Sequence, residues 1–251
     1  MADKRPVALV TGASYGLGAE IAQTLARDGF DVAVTELNAD DLGDTVGAIE
    51  AAGGRAAAVE LNLLSMESIE SATAQTIEAM GQIDVLVNNA GLLIARPALE
   101  VTPEQWDQVM TVNVKGSYFM ALEVARHLID TGRPGNIINI ASTFTTMGAP
   151  GVSPYGISKA AVGGITRHLA VEWAQYAIRV NAVAPGTVET KLRAEILAAN
   201  PERRDANMAK IPMGRFGAPE DMAGAVSYLA SPASAYVNGH VLAVDGGLTI
   251  S

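Results

Sequence analysis

Short runs of β-branched residues alternate with helical segments along the whole of this 251-residue chain. The runs that predict strands span 7–10, 31–35, 56–61, 83–88, 135–141, 178–184 and 240–244. Between them apolar residues recur at helical spacing, as Leu17, Ile21 and Leu25 do after the first run. Strands that alternate with helices need crossover connections, which place parallel strands in one sheet with helices on both faces. The sequence therefore predicts an α/β fold with a doubly wound, parallel, seven-stranded sheet.

The composition favours a single domain over residues 1–251 and limits its partners. With 49% hydrophobic and 18% charged residues the chain can bury a full core. Its net charge of −10 leaves no basic surface for nucleic acid or an anionic membrane, so we expect neither partner. There is no cysteine, which excludes disulfides and thiolate sites. No apolar run approaches the ~18 residues of a membrane span, and no signal-peptide pattern is visible, so we expect a cytoplasmic protein.

Residues 186–217 are the least regular part of the chain, and several prolines interrupt a charged helical stretch there. They follow the sixth predicted strand. Ligands of open parallel sheets bind outside the carboxyl ends of the strands, which is where this segment begins. We therefore predict that residues 186–217 cover a substrate.

A glycine-rich turn follows the first predicted strand, in the sequence TGASYGLG at 11–18. Gly12, Gly16 and Gly18 let the backbone turn tightly, and the next helix begins directly after them. Free amide groups and the positive end of a helix dipole stabilise a pyrophosphate in this context. Taken alone, the turn is equally compatible with an ordinary surface loop.

Glu36 ends the second predicted strand, 20 residues after Gly16. A carboxylate at this position can bind the adenosine ribose hydroxyls, and it repels a 2′-phosphate. Tyr15 and Leu37, where a cation would receive such a phosphate, are uncharged. These residues predict NAD as the cofactor, with NADP less favoured. A solvated acid at the end of a strand is the alternative interpretation of Glu36.

Tyr155 and Lys159 are four residues apart in the helix that Tyr155 is predicted to begin, so they share one helix face. Tyrosine ordinarily titrates near pH 10, whereas an acid/base catalyst works best near the operating pH. Lowering the tyrosine pKa by about three requires ~4 kcal/mol, which one unit charge about 4 Å away supplies at an effective dielectric constant near 20. Ser142 ends a predicted strand 13 residues earlier. The pair predicts an acid/base catalyst, although a Tyr–Lys pair on a solvated face is the commoner case for any one helix.

Several segments, in order and at suitable spacing, together resemble the short-chain dehydrogenase/reductase family. They are TGASYGLG at 11–18, NNAG at 88–91, Asn113 in TVNVKG, Ser142 in INIAS, YGISK at 155–159, PG at 185–186 and VDGG at 244–247. The resemblance spans nearly the whole chain. It implies a single-domain Rossmann-like enzyme that transfers a hydride between a nicotinamide cofactor and a small alcohol or ketone.

The resemblance also implies roles for individual residues. Tyr155 would exchange a proton with the substrate oxygen, Ser142 would hydrogen-bond that oxygen, and Lys159 would lower the tyrosine pKa and hold the nicotinamide ribose. Asn113 would interrupt its helix and hold a water of a proton relay. The expected cofactor-binding residues are Gly12, Ser14, Tyr15, Gly16, Leu17, Gly18, Glu36, Leu37, Asn62, Leu63, Asn89, Ala90, Gly91, Tyr155, Lys159, Pro185, Gly186, Val188 and Thr190. The expected substrate pocket contains Ser142, Phe144, Ile94, Val152 and Tyr155, with Leu93, Thr143 and Met147 beside them. Asn62 stands where the family usually has an aspartate against the adenine.

The leading functional hypothesis is an NAD-dependent dehydrogenase of a secondary alcohol, with a sugar or polyol as the substrate class. That class rests on likeness around WDQVMTVNVKG and VAPGTVET. The alternatives are a 3-oxoacyl-thioester reductase and a nucleotide-binding protein without turnover. The three histidines lack metal-ligand spacing, so we expect no catalytic metal.

Small residues cluster in the helix that follows Tyr155. They are Ala160, Ala161, Gly163, Gly164 and Ala170. Each helical glycine costs about 1 kcal/mol relative to alanine, so something should compensate for them. In the family that the chain resembles this helix pairs with its symmetry mate, which predicts a homotetramer. Tight packing against the protein's own sheet is the alternative.

Overall fold

The computed structural model describes residues 5–189 and 201–251. Its seven parallel strands form one sheet in the order β3-β2-β1-β4-β5-β6-β7. The strands are β1 (Val7–Thr11), β2 (Asp31–Glu36), β3 (Ala56–Glu60), β4 (Val85–Asn88), β5 (Gly135–Ile140), β6 (Ile178–Pro185) and β7 (Val241–Val244). Each begins and ends within two residues of its predicted bounds. The predicted α/β fold with a doubly wound, seven-stranded sheet is confirmed.

Helices connect the strands on both faces of the sheet. The described residues form α1 (Gly16–Arg27), α2 (Gly43–Ala51), α3 (Met66–Met80), α4 (Pro103–Met110), α5 (Ser117–Asp130), α6 (Ser153–Trp173), α7 (Pro201–Met208) and α8 (Pro219–Ala230). A π-helical turn, Thr111–Gly116, joins α4 to α5. In the part of the chain that the structure describes, no helix combines the length and apolar character that crossing a membrane requires.

Two hydrophobic clusters, one on each face of the sheet, form most of the core. Neighbouring residues of β1 point to opposite faces, so Leu9 belongs to the cluster under α3, α5 and α6 and Val10 to the one under α1, α2 and α8. Both are fully buried. Burial on both faces explains why the central strands are continuous apolar runs rather than alternating ones.

The sheet changes direction at β1, which pairs with β2 on one side and with β4 on the other. Crossovers therefore leave β1 and β4 towards opposite edges of the sheet, and a crevice opens between the loops at their carboxyl ends. The glycine-rich turn and the NNAG segment are these two loops. The topology places both against one site.

Helix α6 begins at Ser153 rather than at Tyr155 as predicted, because Pro154 suits the first turn of a helix. Its small residues do not form one surface. Gly163 and Ala170 are seven residues apart, on one face, and both are buried against the protein itself. Ala160, Ala161 and Gly164 lie on a different, more accessible part of the helix. The prediction that all five small residues form one contact surface for a second copy is therefore wrong for Gly163 and Ala170.

Candidate active site

The turn after β1 forms an open anion site at the start of α1. Gly12 and Gly16 have φ angles of +65° and +64°, a left-handed conformation that favours glycine. A Cβ atom on Gly18 would lie 2.2 Å from the Gly12 carbonyl oxygen, so the turn can pack on the helix only with glycine there. Tyr15, the N-cap, makes no side-chain capping bond, and the first turn of α1 has no acidic residue. The amides at this helix start are thus free to bind an anion, and the turn fits a pyrophosphate.

The loop after β4 is bonded to this turn. The Asn89 amide group donates to the carbonyl oxygens of Thr11 and Gly12 at 2.9 and 2.7 Å. In return, the Thr11 hydroxyl accepts from the backbone N–H groups of Asn89 and Ala90, both at 3.0 Å. The Asn89 side chain therefore holds the glycine turn in place.

A cavity of about 210 Å³ lies beside the turn at the end of β2. Its lining includes many of the residues predicted for the adenosine half of the cofactor, namely Gly12, Glu36, Leu37, Asn62, Leu63, Ala90 and Gly91. The Glu36 carboxylate accepts from the Ser14 hydroxyl at 2.6 Å and from the Leu37 N–H at 3.0 Å. The Asn62 amide oxygen accepts from the Leu64 N–H at 3.0 Å, which leaves its amide nitrogen as the donor towards a ligand.

A second cavity, of about 570 Å³, holds the predicted catalytic side chains and is called the catalytic cavity below. Ser142, Tyr155 and Lys159 all line it. The structure also brings to it Leu17, Leu93, Thr143, Phe144, Met147, Val152, Pro185, Gly186 and Val188. Ile94, predicted for the substrate pocket, does not line it, whereas the neighbouring Leu93 does. Gly91 lines both cavities, so the cleft runs from Glu36 to Tyr155.

Lys159 and Tyr155 are neighbours on one face of α6. The Lys159 Nζ atom lies 5.7 Å from the centroid of the Tyr155 ring and donates to the Ile140 carbonyl oxygen at 2.6 Å. Burial lowers the pKa of Lys159 to about 8. Phe144 packs edge-to-face on Tyr155, with ring centroids 6.0 Å apart, and limits how the phenol ring can turn.

Ser142 follows β5 and caps a short 3-10 turn, Thr143–Thr145. Its hydroxyl oxygen accepts from the Phe144 N–H at 3.3 Å, and the residue is buried. Because that bond uses only a lone pair, the hydroxyl proton remains available for an acceptor in the cavity.

Asn113 lies within the π-helical turn, as the resemblance implied for an interrupted helix. Its amide oxygen accepts from the Leu92 N–H at 2.7 Å, and its amide nitrogen donates to the Leu92 carbonyl and to the Ser158 hydroxyl, both at 2.9 Å. The Ser158 hydroxyl in turn donates to the Tyr155 carbonyl at 2.7 Å. Both amide hydrogens of Asn113 are thus used within the protein.

The loop after β6 closes the other side of the catalytic cavity. A Cβ atom on Gly186 would lie 2.7 Å from the Asp245 Cα, which explains the glycine. The Asp245 carboxylate accepts from the N–H groups of Gly247 and Thr249. Burial opposes its ionisation, but these bonds and that from the Thr249 hydroxyl prevail and lower the pKa of Asp245. Residues 190–200 of the predicted covering segment, which include Thr190, lie outside the described residues.

Sequence reasoning missed several residues that line or support the site, among them Leu248 and Ser158. Leu248 lines the catalytic cavity because the Asp245 hydrogen bonds fold the end of the chain towards it, and no local pattern indicates this. Ser158 bonds Asn113, and its position between Tyr155 and Lys159 was the available signal. Among the described residues, no three histidine, aspartate or glutamate side chains form a group that could hold a metal ion.

Known proteins are similar to this chain in sequence and fold. A family model described as enoyl-(acyl carrier protein) reductase matches residues 12–249. A crystal structure of a short-chain type dehydrogenase/reductase from Mycobacterium marinum has a TM-score of 0.92 and 35% identity, covering 98% of this chain and 96% of that one. The chain belongs to the short-chain dehydrogenase/reductase family. It is an oxidoreductase that acts on CH–OH groups with a nicotinamide cofactor.

Two further proteins similar to this short-chain dehydrogenase/reductase bear on its substrate and on its cofactor. A gluconate 5-dehydrogenase from Gluconobacter oxydans is 38% identical over 244 residues, covering 97% of this chain and 94% of that protein. A dehydrogenase structure from Agrobacterium tumefaciens contains bound NADP; its TM-score is 0.90 and its identity 39%, covering 98% of this chain and 97% of that one. Both NAD and NADP are therefore candidate cofactors for a member of this family.

Proposed function

We propose that this short-chain dehydrogenase/reductase interconverts a secondary alcohol and its ketone, with a sugar or polyol as substrate and NAD as cofactor. The observation that carries the proposal is the catalytic cavity, where Ser142, Tyr155 and Lys159 meet at one end of a cleft whose other end contains the glycine turn. Likeness to a gluconate 5-dehydrogenase supports the substrate class.

The proposed chemistry assigns each residue one task. When bound, the nicotinamide supplies the hydride acceptor for oxidation or the hydride donor for reduction. In oxidation the Tyr155 phenolate takes the proton of the substrate hydroxyl, and in reduction the phenol returns it to the carbonyl oxygen. The Ser142 hydroxyl donates to that same oxygen and orients it. The Lys159 ammonium stabilises the phenolate and would hold the nicotinamide ribose.

Proton release to solvent needs a route from the buried end of α6. We assign the start of this route to the π-helical turn at Asn113. Because the Asn113 amide hydrogens are already bonded to Leu92 and Ser158, the relay water would lie against a backbone carbonyl of the turn. A π-helical turn shifts the regular bonding partners of its carbonyls, which makes one accessible without unfolding the helix.

Glu36 supports NAD over NADP. Its carboxylate occupies the end of β2 beside Ser14, and a 2′-phosphate there would meet a negative charge. The Leu37 side chain, 63% exposed, supplies no compensating cation. Steady-state kinetics with both cofactors test this choice: we expect a higher kcat/KM with NAD, and a higher value with NADP would contradict it.

The competing activity is reduction of a 3-oxoacyl thioester. Likeness to a 3-oxoacyl-[acyl-carrier-protein] reductase from Thermotoga maritima, 37% identical over 245 residues, favours it, but the net charge of −10 and the Glu36 carboxylate are unsuited to an acidic carrier and to NADPH. Absorbance assays at 340 nm with NAD and a set of polyols, beside assays with NADPH and an acetoacetyl thioester, distinguish the two. Cofactor titration by fluorescence in parallel would detect binding without turnover.

We also propose that residues 186–217 cover the bound substrate and that the chain forms a homotetramer. Asn207 on α7 already lines the catalytic cavity, which supports the covering role. The accessible residues Ala160, Ala161 and Gly164 on α6 support close approach of a second copy. Light scattering at micromolar concentration should give four times the 26.0 kDa chain mass; the mass of a monomer would contradict this assembly.

A further inference from the structure

Ser158 joins two elements of the candidate active site through a single hydroxyl group. It lies between Tyr155 and Lys159 in α6, it is fully buried, and it is not part of the described wall of the catalytic cavity. Its hydroxyl accepts from the Asn113 amide nitrogen at 2.9 Å and donates to the Tyr155 carbonyl oxygen at 2.7 Å. The hydroxyl therefore connects the π-helical turn to the first turn of α6, which carries the phenol.

Asn113, the donor to this hydroxyl, lies close to the reacting groups. Its amide oxygen accepts from the Leu92 N–H at 2.7 Å, and the side chain is buried. A Cβ atom on Gly91 would lie 3.3 Å from the Asn113 Oδ1 and 3.5 Å from the Lys159 Nζ, so both side chains pack against the same glycine. A shift of Asn113 would therefore disturb the backbone against which the Lys159 ammonium lies.

Removal of the Ser158 hydroxyl would leave a polar group of Asn113 unpaired in the protein interior. The amide hydrogen that bonds Ser158 would lose its acceptor, which is unfavourable in a buried site. The π-helical turn can relieve this by moving away from α6 until water reaches the amide. Such a movement changes the position of Asn113 relative to Tyr155 and Lys159, on which the proposed proton transfer depends.

We infer that Ser158 is a positioning residue, whose hydroxyl keeps the π-helical turn and the Tyr155–Lys159 pair in register for proton transfer. The inference rests on the proposed function and adds a residue to it. Because Ser158 lies outside the described wall of the cavity, its loss should lower kcat and leave the KM for the cofactor nearly unchanged.

Thr166 provides a matched control on the same helix. It too is fully buried, and its hydroxyl accepts from the Asn139 amide nitrogen at 3.0 Å and donates to the Val162 carbonyl oxygen at 2.9 Å. Ser158→Ala and Thr166→Val therefore each remove one hydroxyl and deprive one buried asparagine amide of an acceptor. They should lower the free energy of unfolding to a similar extent. Of the two hydroxyls, only that of Ser158 bonds the π-helical turn.

Kinetics of the two variants test the inference, with whichever substrate of the polyol and acetoacetyl-thioester assays gives the higher wild-type kcat/KM. We expect kcat to fall ~10-fold in Ser158→Ala and less than ~2-fold in Thr166→Val, with the KM for the cofactor within ~2-fold of the wild-type value in both. The solvent deuterium isotope effect on kcat should increase in Ser158→Ala alone, because proton transfer becomes slower there. Equal falls in kcat, or an unchanged isotope effect, would overturn the inference.

A double-mutant cycle shows whether Ser158 acts through Asn113. In the Asn113→Ala background, Ser158→Ala should lower kcat by less than a further ~2-fold, because the bonding partner is already absent. A fall in that background as large as in the wild type would contradict the link. Ser158→Cys, of similar size but with weaker hydrogen bonds, is a second single variant whose kcat should lie between those of the wild type and Ser158→Ala.

Tyr155→Phe distinguishes failure of the inference from failure of the proposed function. If Tyr155→Phe kept the wild-type kcat, the proposed chemistry would be wrong and the role of Ser158 with it. A Tyr155→Phe variant that loses turnover, beside a Ser158→Ala variant with wild-type kcat, would overturn the inference alone.

Discussion

The Lys159 Nζ atom lies 5.7 Å from the centroid of the Tyr155 ring, one turn further along the same face of α6. The lysine is buried and donates to the Ile140 carbonyl oxygen, so its charge is held where solvation is poor. A charge in such a place costs stability. Its value to the protein therefore lies in what it does to the phenol beside it.

Replacing Lys159 by methionine should stabilise the fold at neutral pH. The fall of its pKa from 10.5 to about 8 corresponds to ~3 kcal/mol of unfavourable burial. Loss of the bond to Ile140 returns about 1 kcal/mol of this, so we expect Lys159→Met to raise the free energy of unfolding by about 2 kcal/mol near pH 7. Urea unfolding measures it.

The pH dependence of that difference identifies its cause. Above pH 8 the native lysine loses its proton, whereas the unfolded chain keeps it until about 10.5. The wild type therefore gains stability over this range, and the advantage of Lys159→Met should shrink. The exposed Lys115→Met is the control and should show neither effect. A constant advantage of Lys159→Met from pH 7 to 10 would exclude a buried charge as the reason.

Tyr155→Phe should bind NADH nearly as well as the wild type but turn over ~10²- to 10⁴-fold more slowly, because only the proton-transferring hydroxyl is removed. The edge-to-face contact with Phe144 does not need that hydroxyl. Fluorescence titration measures binding, and absorbance at saturating cofactor measures kcat. Retained kcat would disprove the acid/base role.

The double variant Glu36→Ser, Leu37→Arg should shift the cofactor preference towards NADP. The serine removes the repelling carboxylate, and the arginine adds a cation at an exposed position beside it. We expect the ratio of kcat/KM for NAD over NADP to fall by ~10²-fold or more. The single variant Leu37→Arg is the control and should change the ratio less, because the carboxylate remains.

Gly18→Ala should disrupt the anion site. The added Cβ would lie 2.2 Å from the Gly12 carbonyl oxygen and 2.5 Å from the Asn89 amide nitrogen, so the turn must move. We expect cofactor affinity to fall by at least ~10-fold. Gly47→Ala, within α2, is the matched control, because no atom of the described ranges other than the helix's own backbone and the adjoining residues lies within 4 Å of the new Cβ; it should leave binding intact and stabilise the fold by up to about 1 kcal/mol.

Gly164→Leu tests the proposed tetramer. Among the described residues, nothing apart from the backbone of α6 itself and the adjoining residues lies within 4 Å of a Cβ at this position, so an isolated protomer should accept the larger side chain. If a second copy packs on this face, the leucine should dissociate the assembly without lowering protomer stability. Size-exclusion chromatography with light scattering gives the mass. An unchanged tetramer in Gly164→Leu would place the interface elsewhere.

The sequence by itself was sufficient for the fold class and for most of the site. Strand positions follow from short runs of β-branched and apolar residues, which are a local signal, and all seven strands lie within two residues of their predicted bounds. The glycine turn, Glu36 and the Tyr155–Lys159 pair are also local, because each depends on spacing within one loop or one helix. These features were accessible without any knowledge of long-range contacts.

Only the tertiary structure decided which side chains share a cavity and what their environment does to them. Leu248 lines the catalytic cavity because the hydrogen bonds of Asp245 fold the end of the chain towards it, whereas Ile94 does not line it. No local sequence pattern predicts either placement. The lowered pKa of Lys159 results from its complete burial between α6 and β5, which the four-residue spacing of Tyr155 and Lys159 does not indicate. Solvation and packing depend on every neighbour in space, so spacing along the sequence cannot predict them.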